Sequence, residues 1–113
     1  NNRSIAQINR EISETTFQQL ESQLLVQLEN AWSDYQNKLF IVMAQRNNVT
    51  TNRQNFDRTV EQFKLGRISS LDFRNAQRNL LDAETSLTQA LYDAKLAEIT
   101  LYQLSGNIED ANF

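Results

Sequence analysis

The alternation of apolar and polar positions is clearest in the second half of the chain. There Phe73, Ala76, Leu80, Ala83, Leu87, Ala90, Ala94, Ala97, Leu101 and Leu104 follow one another at steps of three and four. That spacing places all of them on one stripe of a helix that winds against a partner. One row of the stripe reads Phe, Leu, Leu, Ala, Leu, and the other is Ala four times before Leu104. The small row lets a second helix approach closely. In the first half Leu28, Tyr35, Val42, Val49, Phe56 and Phe63 recur every seventh residue, beside a mixed companion row of Ala31, Lys38, Gln45, Asn52 and Thr59. Trp32, Leu39 and Val60 broaden this stripe on one side. Farther back Ile5, Ile8, Ile12, Leu20 and Leu24 keep a helical spacing, with a slip of phase around Thr15 and Thr16.

These patterns predict one helix from about Ile5 to Lys64, roughly 90 Å long, and a second from about Ser70 to Ser105, roughly 54 Å long. The strong break between them is Leu65-Gly66-Arg67-Ile68-Ser69. Gly66 suits the left-handed conformation that closes a helix, and Ser69 suits the cap that opens the next. Asp72 is placed to complete a capping box and to meet the positive end of the second helix. So short a connection makes the helices antiparallel. Gly106 reads as a second stop, with residues 106–113 as a frayed tail. The expected fold is therefore all-α: residues 1–113 form a single long antiparallel two-helix coiled-coil hairpin. A hairpin seals one seam only. Phe17, Leu25, Trp32, Phe40, Ile41, Leu81 and Leu91 lie off or at the margin of the main stripes, which points to a further helical partner in a larger bundle or barrel.

Composition agrees with few, long elements, since the chain has no Pro and two Gly. The longest apolar run, Leu39 to Ala44, is far short of the roughly 20 residues that cross a bilayer as a helix. There is no Cys and no His, which removes disulfides, thiol nucleophiles, and the commonest general base and metal ligand. Carboxylate pairs occur at Glu11 with Glu14 and Asp82 with Glu84, but carboxylate-bridged metal bundles need histidines as well. No enzyme and no cofactor is expected. Tyr35, Tyr92, Tyr102 and Trp32 read as packing residues. The first residues lack the basic start and apolar stretch of a targeting segment, so the chain is either cytoplasmic or an interior piece of something exported.

Net charge is −3, which argues against nucleic acid as a partner. Its distribution says more. Arg46, Arg53, Arg58, Lys64, Arg67, Arg74 and Arg78 stand against Asp57, Glu61 and Asp72 around the expected turn. Scattered charge is ordinary on long exposed helices; a basic end also suits docking.

The run Phe63-Lys64-Leu65-Gly66-Arg67-Ile68-Ser69-Ser70-Leu71-Asp72, followed by Asn75-Ala76-Gln77-Arg78-Asn79-Leu80, resembles the hairpin-tip signature of the TolC-type outer-membrane efflux family. That signature reads aromatic-x-x-Gly-x-x-Ser/Thr-x-x-Asp/Glu, then Ala-Gln and Leu. Leu87, Ala90, Ala94, Ala97 and Leu104-Ser105-Gly106 continue the likeness. It is specific from Phe56 onward and weaker before Ala31.

The resemblance implies a homotrimer whose chains each hold two repeats of barrel strands plus a helical hairpin. The helices form a tunnel through the periplasm, with membrane contact through the barrel alone. One helix of each such hairpin is long and the other short, as the periodicities here require. This chain would be one hairpin without its barrel, assigned to the C-terminal repeat because nothing strand-like follows Gly106. The resemblance further implies a periplasmic adaptor docked at the tip and an inner-membrane pump beyond it, in the outer membrane of a Gram-negative bacterium, with small molecules or proteins as exported cargo.

By position, Phe63, Gly66, Arg67, Ser69 and Asp72 form the docking tip. Where some relatives gate the tunnel mouth with a Tyr, an Arg and two Asp, this chain has Phe63, Ile68, Asp72 and Asn75, which makes Ile68 and Asn75 candidate mouth residues. A mouth with those groups is not closed by that set of hydrogen bonds. The reading from another class is a coiled-coil scaffold, or an adaptor hairpin, without a conduit.

Overall fold

The computed structural model describes residues 2–111, with side chains described for 2–107. It holds two helices, α1 (Asn2–Lys64) and α2 (Ser70–Ala111), and no strand among the described residues. They lie antiparallel in a rod of 96 × 20 × 13 Å. The all-α hairpin expected from the periodicities is the fold.

The seam forms where the two stripes predict it. Among the described residues the buried ones on α2 are Ala76, Ala83, Ala90, Ala94 and Ala97, and on α1 Val42 alone is buried. Leu28, Tyr35, Val49 and Phe56 are half-buried along α1, as are Leu80, Leu87 and Leu101 along α2. Small and large residues thus divide the work: the Ala row closes the distance, and the larger side chains flank it. Val42, Ala90 and Ala94 make the centre of the core, with Leu87 packed against them. The polar companions Lys38, Gln45, Asn52 and Thr59 are half-buried at the seam's edge. Lys38 and Asn52 meet partners on their own helix, with the Lys38 ammonium 4.0 Å from Asp34 and Asn52 donating to the Asn48 carbonyl at 2.8 Å.

Two differences from the sequence-based expectation stand out. α2 does not stop at Gly106 but runs on to Ala111. Among the described residues positive φ is confined to Gly66, so Gly106 keeps helical backbone, and with no Pro after it a single glycine weakens the helix by about 1 kcal/mol without ending it. Of the expected tail, Asn107 to Ala111 is helical, and Asn112 and Phe113 lie outside the described residues. At the other end α1 starts at Asn2 and passes through the phase slip at Thr15 and Thr16 without a break. Thr15 there donates to the Glu11 carbonyl at 2.9 Å. Every residue from Asn2 to Gln23 is exposed, because α1 has 63 residues against 42 in α2 and its first turns extend beyond the reach of α2.

Candidate functional site at the hairpin tip

The tip is built by two complementary helix ends. Gly66 has φ +73°, a conformation that side chains with a Cβ enter only at a cost. From it the Gly66 amide donates to the Phe63 carbonyl at 3.0 Å and the Arg67 amide to the Gln62 carbonyl at 2.9 Å. This pair of bonds is the Schellman closure, satisfying carbonyls that the end of α1 would leave open. Three residues on, the Ser69 hydroxyl accepts from the Asp72 amide at 3.2 Å, and the Ser69 carbonyl accepts from the Phe73 amide at 3.2 Å. Ser69 therefore caps α2 as its position suggests. The return bond, in which the Ser69 amide would donate to the Asp72 carboxylate, is absent among the described residues; Asp72 acts through its charge in the first turn of α2.

Behind the turn, aromatic rings lock the two helices. Phe73 stacks on Phe63 with centroids 4.8 Å apart and tilts against Phe56 at 5.6 Å. Of the residues singled out from sequence, Gly66, Arg67, Ile68 and Ser69 come together in the turn, and Phe63 and Asp72 flank it on α1 and α2. Asn75 sits one turn farther along α2, exposed. Arg67, Ser69 and Asp72 are exposed, Phe63 is exposed at one edge, and Ile68 is half-buried. Two features escaped the sequence reading. One is the role of Phe73 as the ring between Phe56 and Phe63, although the seven-residue spacing of those two and the position of Phe73 at the head of the α2 stripe carried the signal. The other is an ion pair between Arg53 and Glu84 at 2.9 Å, which depends on helix register and has no local signature.

Away from the tip the rod carries shallow open grooves. One, of about 600 Å³, lies between Trp32 and Tyr35 of α1 and Leu101 and Tyr102 of α2, where Trp32 meets Tyr35 edge-on at 6.4 Å. A second, of about 560 Å³, lies near the tip between Phe56, Arg74, Leu81 and Glu84. Neither encloses a set of groups that meets in a water-poor space, as catalysis needs. No metal-holding group of acidic side chains occurs among the described residues, and no described helix is long and apolar enough to cross a membrane.

A capped turn at the end of a long, unequal hairpin defines the class, and the chain belongs to the outer membrane efflux protein family, whose model matches residues 1–107. This is a family of transport proteins rather than of enzymes, and the likeness read from the tip motif holds over nearly the whole chain. Among curated proteins the chain is similar to the outer membrane efflux protein BepC of Brucella suis biovar 1 (strain 1330), at 28% identity over 81 residues. That match covers 72% of this chain and 18% of the relative, so the chain spans less than a fifth of the length of the curated protein it matches. No solved structure matches the chain.

Proposed function

We propose that the chain is a periplasmic, tunnel-forming hairpin of a trimeric outer-membrane efflux channel of a Gram-negative bacterium. Its tip, Phe63, Gly66, Arg67, Ser69 and Asp72, docks a periplasmic adaptor that links the channel to an inner-membrane pump, and the tunnel passes small molecules or proteins outward. Ile68 and Asn75 stand at the tunnel mouth. The observation that carries this reading is the tip itself: a rigid, doubly capped turn at the end of a 96 Å rod, in a chain of this family. A turn so fixed presents its outward groups at little cost in ordering entropy, which favours docking. The unequal helices support the rest, since α1 is the longer by 63 residues to 42 and its residues from Asn2 to Gln23 are exposed.

The test is capture of the parent protein by candidate periplasmic adaptor hairpins. Wild type is compared with an Arg67→Glu variant and with a double variant carrying Gly66→Pro and Arg67→Glu. Proline cannot adopt a φ of +73°, so the double variant deforms the turn, whereas Arg67→Glu reverses one exposed charge and leaves the caps intact. Binding weakened by the single change and lost in the double one supports docking at the tip. Capture unchanged in both variants, or by no adaptor, favours a coiled-coil scaffold without a conduit.

A further inference from the structure

The groove between Trp32 and Tyr102 combines aromatic rings with acids. Trp32 and Tyr35 line it from α1 and Leu101 and Tyr102 from α2, with Glu29 on the α1 wall and Glu98 on the α2 wall. Trp32 meets Tyr35 edge-on at 6.4 Å, and Trp32 and Tyr102 both keep more than half of their surface in water. No hydrogen bond or ion pair engages Glu29 among the described residues. Glu98 meets the Lys95 ammonium of its own helix at 3.6 Å, an exposed pair of the kind that contributes little and gives way to a better-placed charge.

The surroundings act in the same direction. Outside residues 46–78 the chain carries eleven acids against Arg3, Arg10, Lys38 and Lys95, so this part of the rod holds a negative potential that draws cations toward it. The groove near the tip is the converse. It has a similar volume but is bordered by Arg74 and Arg78, and its acid, Glu84, is held by Arg53 at 2.9 Å.

We propose that the Trp32 groove binds an organic cation with a broad apolar body. Glu29 and Glu98 meet the charge from the two walls, and the apolar body lies against Trp32, Tyr35, Leu101 and Tyr102. Aromatic faces attract such a cation beyond what its apolar area contributes, Trp most strongly. A volume of about 600 Å³ falls within the range of small-molecule sites. A compact ammonium is strongly hydrated, which favours a delocalised or fully substituted cation over the lysine side chain of a partner protein. This binding needs the groove alone and is independent of the adaptor capture above.

Trp32 is the one tryptophan of the chain, so its fluorescence reports the groove. Tetraphenylphosphonium and tetraphenylborate, ions of the same shape and opposite charge, are titrated into the chain at a concentration where light scattering gives the monomer. The cation is expected to change the Trp32 emission saturably and the anion to leave it unchanged. Glu29→Gln combined with Glu98→Gln is expected to weaken the cation about tenfold. Glu11→Gln combined with Glu14→Gln is expected to have no effect, because Glu14 lies roughly 22 Å along α1 from Glu29, well beyond the screening length. Gln keeps the helix propensity of Glu, so helix content by circular dichroism stays the same in all variants. An equal response to both ions overturns the proposal and leaves the groove to a covering protein segment. Equal weakening by the two pairs of substitutions overturns it as well, since it marks a diffuse field rather than a site, and so does a cation that changes nothing.

Discussion

At the scale of single residues, the tip rests on Gly66 more than on any side chain. A Cβ added there meets nothing within 4 Å, so space is not the constraint; the φ of +73° is. Gly66→Ala is expected to destabilise the hairpin by about 1 to 2 kcal/mol, the cost of the left-handed region for an L-residue. Urea unfolding followed by circular dichroism checks this, and a midpoint equal to wild type would mean that the turn relaxes to another form. Ser69→Ala removes the hydroxyl that accepts from the Asp72 amide and is expected to cost about 1 kcal/mol in the same measurement. Both roles are written locally, as Gly66 after the last periodic residue and Ser69 three residues before Asp72, which is why the turn is legible in the sequence. The three-ring contact of Phe56, Phe63 and Phe73 is legible only in part: the spacing puts each ring on its stripe, and which ring meets which depends on how the helices pair.

At the scale of the elements, the strict alternation from Phe73 to Leu104 is enough to place the seam, since only one stripe of α2 is continuously apolar and its Ala row is the part that disappears from solvent. The end of α2 differs from the sequence-based expectation for a physical reason. A glycine is a stop only when the backbone turns at it, and Gly106 does not turn. The register was hidden as well, and with it the Arg53 and Glu84 pair and the groove between Trp32 and Tyr102. The closeness of the helices at the Ala row yields a sharp expectation. Ala83 is 3% exposed, so Ala83→Leu forces the helices apart and is expected to cost about 1 to 3 kcal/mol, as overpacking does. Arg53→Ala, by contrast, removes an exposed ion pair and is expected to cost under about 1 kcal/mol. Thermal unfolding of the two variants ranks them, and a larger loss for Arg53→Ala would mean that charge rather than close packing holds the seam.

At the scale of the whole molecule, the shape itself demands company. The chain exposes 9052 Å², where a compact monomer of the same mass exposes about 6400 Å². Its radius of gyration of 26.3 Å compares with about 13 Å for a compact domain of this length. Much of the excess is apolar: Phe40 is 73% exposed, Tyr102 70% and Trp32 52%, and the start of α1 leaves Ile5, Ile8 and Ile12 bare. Apolar area on that scale is removed from water by association at about 25 cal/mol per Å² buried. The isolated chain is therefore expected to self-associate, with a light-scattering mass above 13.1 kDa that rises with concentration. Trp32→Gln combined with Phe40→Gln, both at exposed helical positions, shifts the mass back toward the monomer without loss of helix content. A mass that stays monomeric at the highest concentration reached would show that the exposed flanks do not recognise one another and that their cover belongs to a different segment or chain.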